Sequence, residues 1–180
     1  MSGDQLRSGK AELNSAHENS AGLRAGHDGG PERRARITAD IMDRTGIDEA
    51  MIERLVRTFY GRVQLDPLIG PIFTARIVDW EHHIAKLCAF WSSVALMSGR
   101  YHGQPMQKHV NLPVDGQHFD RWLAIFEETT TELCPPAAAA HFIERARRIA
   151  DSLEMGIATQ QGRLYRPRHS VDEPGRNGHR

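Results

Sequence analysis

The chain has 180 residues and balances 23 Lys and Arg against 23 Asp and Glu, for a formal net charge of zero at pH 7. That length holds one domain with a sizeable core, and a balanced charge offers no field to gather nucleic acid or an anionic membrane. No run approaches the roughly 18 apolar residues that span a bilayer, and Met1 to Lys10 lacks the apolar centre of a signal peptide, so a soluble, cytoplasmic protein is expected.

Residues 1–35 are rich in Gly, Ser, Asn, Asp, Glu and Arg and nearly devoid of large apolar side chains. Such a composition cannot offset the entropy of ordering, so a disordered polar extension is predicted. The same composition returns over 163–180 as a disordered tail, which leaves 36–162 as the folded domain. His17, His27, His169 and His179 fall in these ends and read as solvated side chains.

Inside the domain the apolar spacing is helical almost throughout. Ile37, Ile41 and Met42 predict a short first helix closed by Gly46, and Asp48 caps the next. Met51, Ile52, Leu55, Val56, Phe59, Tyr60 and Val63 then recur every three or four residues and mark a broad buried face. Asp66-Pro67 starts a short helical turn through Phe73. A helix from Val78 to Leu96 follows, with Trp80, His83, Ile84, Leu87, Phe90, Trp91 and Val94 on its inner stripe and Gly99 stopping it. Asp115 caps a helix bearing Phe119, Trp122, Leu123, Ile125, Phe126 and Leu133, which Cys134-Pro135-Pro136 ends. The last helix runs from Ala137 to about Gln160, apolar at Phe142, Ile143, Ala146, Ile149, Ala150 and Leu153 and charged on its far side. No strand pattern survives, so the fold class is all-α.

The stretch from Gly99 to Pro113 is mostly irregular, and a compact helical domain seldom keeps such a connection without a use for it. Its Gly-Gln-Pro and Leu-Pro punctuation confines His109 to one short helical turn, a place that presents a single imidazole. Neutral imidazole is a good metal ligand, and a planar apolar ligand with a metal at its centre needs one firm axial bond and apolar walls. His109 would supply the bond. Phe73, Leu87, Phe90, Met106, Leu112, Trp122 and Phe126 lie on inward faces and would supply the walls, although each taken singly is ordinary core. A cofactor-free helical interaction module is the competing reading of the same stripes.

The separated segments carry more than any one histidine. Phe59-Tyr60, Leu68-Ile69-Gly70-Pro71-Ile72-Phe73, Trp80-Glu81-His82-His83 leading to Phe90-Trp91, Tyr101-His102-Gly103-Gln104-Pro105, Lys108-His109, Leu112-Pro113 and Arg121-Trp122-Leu123 together resemble, in order, the third group of the truncated haemoglobins. The resemblance spans about residues 47–160. It implies a shortened, globin-like two-on-two sandwich in which the helix pairs 48–64 with 78–98 and 115–134 with 137–160 enclose a haem. That haem would be a non-covalent haem b, since neither Cys88 nor Cys134 belongs to a C-x-x-C-H attachment motif. His109 matches the proximal iron ligand; Tyr60, His83 and Trp122 match the polar distal residues; Phe73 packs on the porphyrin, with Leu87 one turn beyond His83. Glycine pairs between helices, which mark the other truncated groups, are missing from the domain. The short loop before Trp80 and the long N-terminal extension depart from the third-group pattern.

The resemblance also implies a diatomic gas as ligand: dioxygen, nitric oxide or carbon monoxide. A gas that gains negative charge at iron is stabilised by donors such as the Tyr60 hydroxyl, the Trp122 indole N–H or a His83 N–H, unless Tyr60 and Trp122 only satisfy one another. His82 and His83 point about 100° apart on a helix, and His83 shares the stripe of Trp80, Leu87 and Phe90. An imidazole there can also close the sixth iron site itself. The enzymatic alternative is nitric oxide dioxygenase or peroxidase-like chemistry, with a cellular reductase as partner. Monomer or weak dimer is the expected state; Lys108 and Arg100 read as solvated charge or as partners of haem propionates.

Overall fold

The computed structural model describes residues 30–165 and 167. The expectations for residues 1–29 and for most of the C-terminal tail lie outside the described residues. In chain order the helices are α1 (Pro31–Thr45), α2 (Glu49–Leu65), α3 (Gly70–Thr74), α4 (Trp80–Leu96), α5 (Pro105–His109), α6 (Gly116–Leu133) and α7 (Pro136–Gln160), and no strand occurs among the described residues. None of these helices is long and apolar enough to cross a membrane.

Two boundaries differ from expectation for identifiable reasons. Helix α1 starts at Pro31 rather than near 36, which takes residues 31–35 out of the region expected to be disordered. Proline suits the first helical position, Glu32 complements the helix dipole, and Arg33, Arg34 and Arg36 are good helix formers, so a sparse apolar face does not prevent the helix. Helix α4 starts at Trp80 rather than Val78, because Asp79 caps it by accepting the His82 N–H at 2.9 Å and leaves Val78 outside, fully exposed.

Helices α2 and α4 pack as one pair and α6 and α7 as a second; α2 meets α6, α4 meets α7, and α1 lies on α4 and α7. The centre is aromatic. Trp91 stacks on Phe126 at 4.8 Å, Phe126 on Trp122 at 5.3 Å, and Phe59 stands edge-on to both Phe126 and Trp122. The end of α4 leaves carbonyls that its own helix cannot use, and other elements take them. Thr38 Oγ1 donates to the Leu96 carbonyl, His141 Nε2 to Ala95 and Arg145 Nε to Val94. This end is fixed to α1 and α7 before Met97 turns the chain out with a positive φ of 57°.

A second junction orders the chain after α2. Asp66 accepts the Leu68 and Ile69 N–H groups at 3.0 Å each through Oδ1, and the Arg121 Nε–H of α6 at 2.6 Å through Oδ2, with its side chain 2% exposed. Burial alone would raise its pKa; the Ile69 N–H, the Arg121 guanidinium and the Leu68 N–H outweigh it and hold the carboxyl below its usual range. The next turn passes so close to α2 that a Cβ on Gly70 would stand 2.9 Å from the carbonyl oxygens of Val63 and Gln64. Only glycine fits there.

Asp66→Ala is expected to lower stability at pH 7 by about 2–3 kcal/mol, combining the loss of the carboxylate bonds to the Leu68 and Ile69 N–H groups with a broken, partly buried ion pair. Because the folded-state pKa is depressed, this contribution is complete above about pH 4 and fades as the pH falls through the lower folded value. Urea titrations of both proteins at pH 7 and pH 3 check it: the gap in stability must narrow in acid.

Candidate functional site

One side of the site is built by α2, α3 and α4. Tyr60, on the inner face of α2 and 5% exposed, has its ring 5.8 Å from Phe73, 6.5 Å from Trp80 and 5.8 Å from His83, the last at an interplanar angle of 89°. Trp80 meets His83 edge-on at 5.9 Å. Burial pushes the Tyr60 phenol pKa well up, partly opposed by the Trp122 indole N–H of α6, so the group stays neutral. An indole N–H can only donate. Trp122 therefore cannot take the Tyr60 hydroxyl proton, which remains to be given elsewhere.

His83 is half-buried and His82 exposed, as their angular separation on the helix requires. The Nε2 atom of His83 is buried and has no hydrogen-bond partner among the described residues. Burial first, and then the charges of Lys86, His109 and His82, lower its pKa, so the ring is neutral near pH 7. A buried ring nitrogen without a partner is costly unless something else meets it.

His109 stands at the end of α5, half-buried, with Nδ1 2.7 Å from the carbonyl oxygen of Pro105. A carbonyl can only accept, so Nδ1 carries the proton and Nε2 presents a lone pair. This is the tautomer that a metal-ligating histidine needs, with the backbone holding the ring. His109 is near enough to His83 to act on its titration. Among the described residues no three His, Cys, Asp or Glu side chains converge as a metal cage. A lone imidazole suits a metal that brings its other ligands with it, and the unpartnered His83 Nε2 beyond Tyr60 suits a small polar ligand on such a metal.

The expected wall residues divide. Phe73, Leu87, Phe90, Leu112 and Trp122 are partly exposed. Phe126 is 0% exposed with a ring stacked on each of its faces, so it backs the wall rather than lining it. Met106 turns its thioether onto Gly156 of α7, so it anchors α5. Arg100 is not simply solvated: it pairs with Glu49 at 2.9 Å, and Glu49 also accepts from Ser92. Burial raises the thiol pKa of both Cys88 and Cys134, which suits small apolar residues more than reactive thiolates.

Sequence reading missed the Pro105 carbonyl and Gly156. The first was in reach, since residue i−4 is the ordinary partner in a helical turn. The second had one signal: an unexplained glycine inside a 25-residue helix, where it costs about 1 kcal/mol relative to alanine.

Residues 40–154 match the family model described as bacterial-like globin. Over 113 residues the chain is 34% identical to the group 3 truncated hemoglobin ctb of Campylobacter jejuni, covering 60% of this chain and 89% of that relative. It is 27% identical over 84 residues to the group 2 truncated hemoglobin YjbI of Bacillus subtilis, covering 46% and 64%. The crystal structure of group III truncated hemoglobin from Campylobacter jejuni superposes with a TM-score of 0.56 at 34% identity, over 60% of this chain and 89% of that one.

Proposed function

Since the chain belongs to the bacterial-like globin family, as a truncated haemoglobin of the third group, we propose that it holds a non-covalent haem b and reversibly binds a diatomic gas, dioxygen foremost, with nitric oxide and carbon monoxide as further ligands. The observation that carries this reading is the His109 Nδ1 bond to the Pro105 carbonyl, which leaves the Nε2 lone pair as the atom that would hold haem iron. When bound, haem iron supplies an open coordination position for the gas.

The chain's own residues do the rest. His109 would hold the iron, and Phe73, Leu87, Phe90, Leu112 and Trp122 would enclose an apolar macrocycle and exclude water. Tyr60 would offer its hydroxyl proton to the gas, with the Trp122 indole N–H acting on the same hydroxyl. A neutral His83 adds a second donor or acceptor at Nε2. Donors in a dry site act strongly on a ligand that gains negative charge, so slow gas release is the expected consequence.

Titrating the purified protein with hemin tests the reading, with one equivalent of haem giving a saturating Soret band. A colourless protein with no saturable complex would leave only a helical interaction module. The buried Nε2 of His83 favours a second reading in which His83 closes the sixth site. A low-spin six-coordinate ferrous spectrum without added ligand would establish it, and a five-coordinate high-spin spectrum would remove it. Rapid turnover of nitric oxide or peroxide, with re-reduction by a cellular reductase, would make the protein a haem enzyme instead. The reading includes a cytoplasmic setting and a monomer or weak dimer.

A further inference from the structure

We propose that Gly156 is the positioning residue for the proximal imidazole: its bare backbone is the seat for the Met106 thioether, and that seat sets where His109 stands. Helix α5 has only five residues and no fully buried side chain. A helix so short has no stability of its own, so its place must come from a neighbour. Among the described residues it packs against α7 and against no other helix.

The contact is specific. A Cβ built on Gly156 would fall on Sδ and Cε of Met106, so the methionine end fills the space that any other residue at 156 would take. Met106 and His109 are three residues apart and share a face of the turn. Two restraints therefore fix the imidazole: the Pro105 carbonyl sets its rotation through Nδ1, and the Met106 seat sets the height of α5 over α7. Glycine is a poor choice for the interior of a long helix, and close approach of a neighbour is the use that explains it here.

The seat is a matter of packing alone; its effect on the iron bond rests on the haem reading above. The test is Gly156→Ala, alone and combined with Met106→Ala, with far-UV circular dichroism to confirm that α7 persists, as alanine should favour. In apo protein labelled at the methionine methyl carbon, the Met106 methyl resonance is expected to shift in Gly156→Ala. After hemin loading, the iron–histidine stretching band of the ferrous protein is expected to move and haem loss to quicken about tenfold. With the methionine end gone, the new Cβ has nothing to displace, so the double variant should match Met106→Ala alone, a non-additivity that independent losses of stability would not produce.

An unmoved Met106 resonance or an unmoved stretching band in Gly156→Ala overturns the proposal, as does a double variant in which the two single effects simply add. Should the parent protein form no haem complex, the haem reading falls and the positioning of an iron ligand falls with it, while the apo methyl resonance still decides whether the seat exists. Should Gly156→Ala fail to fold, Met106→Ala alone, which empties the seat, must move the stretching band or the proposal is wrong.

Discussion

His109→Ala is expected to abolish tight haem binding while leaving the helices in place. Changing a group that merely supports a metal ligand costs about 10- to 100-fold in affinity, so removing the ligand itself should cost more than about 100-fold. The fold should tolerate the change. His109 is half-buried, α5 contains no fully buried residue, and the aromatic centre of Phe59, Trp91 and Phe126 lies elsewhere. Circular dichroism and thermal unfolding of the apo variant should match the parent, while a hemin-loaded sample should lose its Soret band on gel filtration. Added imidazole should restore part of the binding, because the vacated space can admit a free ring. A stoichiometric band retained without imidazole would sink the assignment and point to His83, whose replacement by alanine in the same background would then remove it.

The helices were legible in the sequence because burial imposes a period of 3.6 and caps mark the starts of α2 and α6, where Asp48 and Asp115 each accept from a first-turn N–H; the Asp79 cap of α4 was missed. The start of α1 was not, because an Arg-rich segment reads as solvated by composition while its helix propensity is good. His109 stood out because proline and glycine punctuation leaves it one turn to occupy. Periodicity gives the face of a residue but not its depth, which is why Phe126 and Met106 were placed in the wall when one backs it and the other seats α5. Contacts between distant segments were the least legible. Asp66 and Arg121 are joined across 55 positions, and no local pattern announces the pair.

The interaction of Trp122 with Tyr60 shapes the second large effect. Tyr60→Phe is expected to quicken release of dioxygen from the ferrous protein by about 5- to 150-fold, the kinetic equivalent of one lost hydrogen bond of about 1 to 3 kcal/mol. The value should lie at the lower end. In the parent protein the Trp122 indole N–H acts on the Tyr60 hydroxyl; once that oxygen is gone, the gas ligand is the nearest use for the indole. Trp122→Phe alone should then change release only modestly, because the Tyr60 proton is still available. In the Tyr60→Phe background the same substitution should act strongly, since it removes the substitute donor. Stopped-flow replacement of dioxygen by carbon monoxide across the four proteins measures the coupling. Effects that simply add would show that the two groups act on the ligand independently, and an unchanged rate in Tyr60→Phe would leave His83 as the donor.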